Sequence, residues 1–151
     1  MYAEVDNLAI RKLPLAPGLA SEYALSAGLT VPDSAIGADP DGDGDNNFEE
    51  WLKGGNPAAD DRSRRLLAVS PSAAGEFRFG YYRMVEAGAA GVVYDFQYST
   101  SLTNWTAFIA EELSSQPDAP GYERVECRVP VVPTAGQPVL FVLLEARGQA
   151  L

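Results

Sequence analysis

Glu76-Phe77-Arg78-Phe79-Gly80-Tyr81-Tyr82-Arg83-Met84, then Ala87-Gly88-Ala89-Ala90-Gly91, then Val92-Val93-Tyr94-Asp95-Phe96-Gln97-Tyr98-Ser99 is the stretch on which the fold turns. Phe77, Phe79 and Tyr81 recur at every second position of the first run; Val92, Tyr94, Phe96 and Tyr98 do so in the last. A period of two puts each set on one face of an extended chain, the pattern of half-buried antiparallel strands. The small, Gly-containing link 87–91 predicts a hairpin connection between them.

The same reading extends in both directions. It predicts six strands, over 66–70, 76–84, 92–99, 105–111, 122–129 and 139–146. Val125, Cys127 and Val129 share one face of the fifth, with Arg124, Glu126 and Arg128 opposite. The sixth is apolar on both faces, through Val139-Leu140-Phe141-Val142-Leu143-Leu144, which predicts a central strand rather than an edge. Residues 117–121 and 133–138 carry the Pro and Gly of loops. Short strands at this spacing predict a mainly β fold, a small antiparallel β-sandwich of the immunoglobulin or fibronectin III kind over 62–151.

Two helices are predicted ahead of it. The first runs over 21–29, with Ser21 as cap and Gly28 and Pro32 closing it. The second runs over 47–53, where Phe48, Trp51 and Leu52 at i, i+3 and i+4 make one apolar face and Gly54-Gly55 stops the helix. Residues 1–18 form a leader. Its Val5-Asp6-Asn7-Leu8-Ala9-Ile10 reads as a short strand, either the closing strand of an upstream domain or an edge strand added to the β unit, before Pro14 and Pro17 stop any regular element.

Composition narrows the chemistry. The 151 residues hold 11 Lys and Arg against 21 Asp and Glu, a formal charge of −10, and no His. An acidic chain lacks the basic face that phosphate binding needs, so nucleic acid is not an expected partner. Without imidazole there is no Ser-His-Asp or Cys-His nucleophile and no His-ligated zinc. The single Cys127 excludes an intrachain disulfide, and its alternation with Val125 and Val129 predicts a core position. No apolar run approaches the about 20 residues of a membrane-spanning helix. The N-terminus lacks a basic n-region and an apolar h-region, so an export signal, if present, lies upstream. Asn104-Trp105-Thr106 matches a glycosylation sequon, but Trp105 is expected in the core. Arg62, Arg64 and Arg65 after Asp60 and Asp61 read as a solvated linker with local charge pairing.

Nine of the 21 acids fall between Asp33 and Asp61. At their centre is Asp39-Pro40-Asp41-Gly42-Asp43-Gly44-Asp45-Asn46-Asn47-Phe48-Glu49-Glu50. This matches the twelve-residue calcium loop position by position: Asp39, Asp41 and Asp43 at 1, 3 and 5, Gly44 at the sharp turn, Asp45 giving its carbonyl at 7, Asn47 acting through water at 9, and Glu50 bidentate at 12. All-oxygen donors suit a hard cation, and a flexible loop offering six or seven of them suits calcium better than magnesium. With no cation, the converging carboxylates would raise one another's pKa and oppose the folded loop. Asn47 and Glu50 are also spaced as a capping box for the second helix. The fold expected is therefore a helix–calcium loop–helix unit over 19–61 followed by the β-sandwich.

Ala38 to Pro57, written A-D-P-D-G-D-G-x-x-N-x-x-E-W-x-x-G-x-x-P, resembles the single calcium loop of bacterial thrombospondin type 3-like repeats, and is similar to the EF-hand-like half of dockerins. It looks most like the version near the C-termini of large secreted bacterial proteins, where a β-sandwich tail follows. Tyr94, Ser99, Leu102 and Trp105 fit the Y-x-x-x-x-S-x-x-L-x-x-W of such tails. The chain departs from the paired pattern: 34–38 is too small and flexible for an entering helix, Asn46 stands where an apolar pairing residue is usual, and there is one loop where a dockerin has two. Cohesin binding and calmodulin-like sensing are therefore not expected. The resemblance implies a non-catalytic, calcium-binding module of a secreted or surface protein, with upstream domains of the same polypeptide as neighbours. The alternative is a module whose β-sandwich surface binds a polysaccharide or another surface protein, through Tyr81, Tyr82, Tyr94, Phe96, Tyr98 and Trp105, with Tyr82 the best placed for exposure. Catalysis by a carboxylate pair is not expected, since the dense acids already have a use.

Overall fold

A computed structural model of the chain describes residues 18–61, 70–71, 76–130 and 140–148. The leader strand over 5–10, the three arginines of 62–65, nearly all of the strand over 66–70 and the loop at 133–138 lie outside the described residues. The elements are α1 (Gly18–Ser26), α2 (Asn47–Lys53), β1 (Ser70–Pro71), β2 (Phe77–Met84), β3 (Val93–Ser99), β4 (Thr106–Phe108), β5 (Glu111–Pro117), β6 (Tyr122–Arg128) and β7 (Phe141–Arg147). The fold is mainly β, with two antiparallel sheets, of order β1-β2-β6-β5 and β4-β3-β7. Neither described helix is long and apolar enough to cross a membrane.

The inward faces of the two sheets share one core. Phe77, Phe79, Tyr81, Val125, Cys127 and Val129 come from β2, β6 and its end, and Phe96 and Leu140 meet them from the other sheet. The rings interlock: Tyr81 meets Phe96 edge-on at 5.0 Å between centroids, and Phe79 meets Phe108 edge-on at 6.1 Å. Tyr94 and Tyr98 pack against this cluster half-buried. Burying each such ring contributes about 1.5–3 kcal/mol, more than any exposed ion pair of the sheets. Cys127 is buried, and burial pushes its thiol up to about 11.

The opening stretch is not a hairpin. β2 pairs with β1 and β6, whereas β3 pairs with β4 and β7, so residues 85–92 carry the chain from one sheet to the other. The small residues predicted to make a tight turn instead make a dock. Ala90 and Val92 are buried, with Ala87 beside them, against Trp51 and Leu52 of α2 and Ala20 of α1. Phe48, Tyr23, Met84, Tyr94 and Ala146 complete this second cluster. The helices thus pack on one end of the two sheets.

Other expectations are also corrected. β7 is an edge strand among the described residues, not a central one. Its apolar run serves a single face: Val142, Leu144 and Ala146 point to the two clusters, while Leu143 on the opposite face is 43% exposed. The strand predicted over 105–111 breaks at Ile109-Ala110, where the chain again changes sheets, and β5 follows, exposed along its length and absent from the hydrophobic pattern. β5 is held by backbone pairing to β6, with a bulge between Glu112 and Ser114, and by Arg128 to Glu111 and Arg83 to Glu112. Trp105 is exposed rather than core. α1 begins at Gly18, three residues before the expected cap Ser21, and ends at Ser26.

Candidate metal centre

α2 has the bounds the sequence predicts, but its cap is one residue earlier. Asn46 Oδ1 accepts the N–H groups of Phe48 and Glu49, both at 3.0 Å, and Glu49 Oε2 accepts the N–H of Asn46 at 2.8 Å. The sequence holds two overlapping Asn-x-x-Glu frames, and the capping box uses Asn46 and Glu49, not Asn47 and Glu50. That choice turns Asn47 and Glu50 inward. Asn47 is fully buried, and its Nδ2 donates to the carbonyls of Asp33 and Ala35 at 2.7 and 2.6 Å, tying the preceding turn to the helix. Its Oδ1 is buried with no hydrogen-bond partner.

The loop ahead of α2 is wound by its own carboxylates. Asp39 Oδ1 and Oδ2 accept the N–H groups of Gly42 and Gly44 at 2.9 and 3.2 Å. Asp41 accepts from Asp43 N–H at 3.1 Å, and Asp43 from Asp45 N–H at 2.8 Å. Gly44, the residue predicted at the sharp turn, has φ 100°, a value that L side chains resist. The winding brings oxygens of Asp39, Asp41 and Asp43 within 4.8 Å of one another.

A second acidic group meets the first at Asp43. Oxygens of Asp43, Glu50 and Asp61 also lie within 4.8 Å of one another. Glu50 is 1% exposed, and neither of its carboxylate oxygens has a hydrogen-bond partner; nor does the buried Oδ2 of Asp41. Burial, then the charges of Asp41, Asp43 and Asp61, push Glu50 up to about 8 from 4.5. Burial and the neighbouring Asp43 and Asp39 raise Asp41 as well. A carboxylate in this position would ordinarily be held by donors or a cation. Gly55 lets it fit, since a Cβ there would stand 3.1 Å from Glu50 Cβ and Cγ.

The predicted residues thus divide. Asp39, Asp41, Asp43 and Glu50 fall in the two acidic groups. The Asp45 side chain forms an ion pair with Lys53 at the other end of α2. Asn47 anchors backbone. The sequence reading missed Asp61, eleven positions beyond Glu50 and outside any loop spacing. Its one signal was that it closes the acid-rich stretch. The donor set, oxygen from clustered carboxylates, can hold a metal ion.

The six aromatic side chains of the alternative reading are divided between surface and core: Trp105 is exposed and Tyr82 half-buried. Tyr81 and Phe96 are buried in the core, and Tyr94 and Tyr98 lean on it. Tyr94 has a different task. Its hydroxyl, pushed up to about 12 by burial, donates to the carbonyl of Leu52 and accepts the N–H of Met84 at 3.0 Å. Tyr122 Oη donates to the carbonyl of Trp51 at 2.5 Å. The last carbonyls of a helix have no partner within it, and here the β unit supplies two. Ser99, also of the tail motif, is buried and accepts the N–H groups of Ser101 and Leu102 through its hydroxyl at 3.2 and 3.0 Å.

Comparison with known proteins adds no identity: no family model, curated protein or solved structure matches the chain.

Proposed function

We propose that residues 39–61 bind one calcium ion and that its role is structural, not catalytic. One observation carries this reading: Glu50 is buried with both carboxylate oxygens unpartnered and faces Asp43 and Asp61. A divalent cation would give the unpartnered Glu50 carboxylate a counter-charge and offset the repulsion from its acidic neighbours. The all-oxygen set, the flexible Asp-rich loop and the match to the twelve-residue pattern favour calcium over magnesium or a softer metal.

The ion stiffens a junction. Glu50, Trp51 and Leu52 are consecutive: the first faces the acidic cluster, and the carbonyls of the other two are held by Tyr122 and Tyr94 of the β unit. Fixing Glu50 therefore fixes the helix turn by which α2 grips the sheets. The β unit itself reads as a β-sandwich of the immunoglobulin kind. Lettering its strands A, B, C, C′, D, E and F, the sheet order β1-β2-β6-β5 becomes A-B-E-D and β4-β3-β7 becomes C′-C-F. The resemblance of the loop to thrombospondin type 3-like loops is what suggests a module of a secreted or surface protein, where a site of about 10⁻⁴–10⁻³ M affinity would be filled. The polysaccharide-binding alternative would have to rest on Tyr82 and Trp105, because Tyr81 and Phe96 are buried in the core and Tyr94 and Tyr98 pack against it.

Calorimetric titration of chelator-treated protein with calcium tests the reading. One site per chain, lost in Asp43→Ala, is expected. Absence of binding by a chain that remains folded in chelator would overturn it.

A further inference from the structure

The twelve-residue pattern closes at Glu50, but the acidic cluster does not. We propose that Asp61 is a ligand of the same ion, so that the site is completed from outside the loop and the ion staples the segment leaving α2 to the loop that enters it. The inference rests on the calcium reading above.

Three observations carry it. Oxygens of Asp61, Glu50 and Asp43 lie mutually within 4.8 Å, the span of a coordination sphere with calcium–oxygen distances of about 2.4 Å. Glu50, 1% exposed, has both carboxylate oxygens unpartnered and brings one of them into this group. And Asp61 is delivered there by a built turn. Its N–H donates to Asp43 Oδ2 at 3.3 Å, and its Oδ2 accepts the N–H of Asn56 at 2.9 Å. The N–H of Ala58 is held by Asn56 Oδ1 at 3.1 Å, and Pro57 is buried. Tyr23 of α1 ties down the start of the turn by donating its hydroxyl to the carbonyl of Gly55 at 2.5 Å. Gly55 is where the turn passes closest: a Cβ there would stand 3.3 Å from Asp61 Oδ1 as well as against Glu50. A turn held at both ends that adds an acid to a buried, unpartnered carboxylate is unfavourable unless a cation joins them.

Asp60 supplies the control. Asp60→Asn and Asp61→Asn remove the same charge one residue apart, so long-range attraction for calcium falls alike in both. Titrated calorimetrically with calcium chloride, Asp61→Asn is expected to bind at least about tenfold more weakly than the native chain, and Asp60→Asn to stay within about threefold of it. Equal affinities for the two variants would overturn the proposal while leaving the calcium site standing. No binding by the native chain would overturn both. If Asp61→Asn does not fold in chelator, the calcium concentration at which it refolds gives the same comparison. A midpoint well above that of Asp60→Asn supports the ligand, and a matching midpoint removes it.

Discussion

At the scale of single residues, Glu50 is the most consequential side chain. Its carboxyl sits at about 8 in the folded chain against an ordinary 4.5. Between those values the folded protein holds a proton that the unfolded protein has released, so stability in chelator falls as pH rises from about 4.5 toward 8. Calcium acts with the opposite sign. On the proposed function it binds the ionised form, so the stabilisation it adds should grow over the same window, and binding at pH 7 should release about one proton per ion. Urea unfolding in chelator at pH 5 and pH 8 should show the fall, and calorimetry in buffers of different ionisation enthalpy should show the proton. Glu50→Gln should abolish both effects. The neutral amide can donate to the surrounding carboxylates, so this variant should be more stable than the native chain in chelator at pH 8, yet gain little or nothing from calcium. A variant less stable than native under those conditions would mean that Glu50 is held by something other than a cation.

At the scale of elements, the helix–sheet junction depends on two hydroxyl groups and one glycine. Tyr122→Phe leaves the carbonyl of Trp51 without its partner and should cost about 1–2 kcal/mol by chemical denaturation. Tyr94→Phe strands both the carbonyl of Leu52 and the N–H of Met84, so it should cost more, about 2–3 kcal/mol. Equal effects would show that the Met84 contact contributes nothing. Gly54 ends α2 at φ 72°, and a Cβ on it would lie 2.5 Å from the Tyr122 ring. Gly54→Ala therefore combines backbone strain with a clash and should destabilise by more than about 2 kcal/mol. The Gly54-Gly55 pair was legible in the sequence as a helix stop, and α2 was legible to its last residue, because periodicity and capping signals are local. β2, β3 and β6 were legible for the same reason. What escaped was set by tertiary pairing. Ala87 to Gly91 carries the composition of a hairpin, and only packing beneath Trp51 and Leu52 makes it a crossing between sheets. β5 buries nothing, so no hydrophobic period marks it. In the acidic cluster, Asp39, Asp41, Asp43 and Glu50 could be found by spacing, whereas Asp61 arrives through a turn whose hold depends on Tyr23.

At the scale of the molecule, the question is whether the helical unit and the sheets unfold together. The second cluster joins them through Ala20, Trp51, Leu52, Ala90 and Val92, and the first lies directly behind it through Tyr94, which packs against both. Gly148 at the end of β7 adds a further seam, since a Cβ there would stand 3.0 Å from the Phe48 ring. With apolar packing continuous from α1 through both sheets among the described residues, an ion bound beside α2 is expected to stabilise the helical unit and the sheets together. By linkage, calcium at 100 times its dissociation constant should add about 2.7 kcal/mol to the free energy of unfolding. For a chain of this size that raises the midpoint by roughly 5–11 °C. The rise should be the same whether unfolding is followed in the far ultraviolet or by the near-ultraviolet bands of tyrosines in the β unit, and Trp51→Ala should break that agreement by cutting the link between the clusters. If calcium instead shifts the helical signal alone in the native chain, the helical unit is tethered rather than packed, and the ion would order the loop without positioning the sheets.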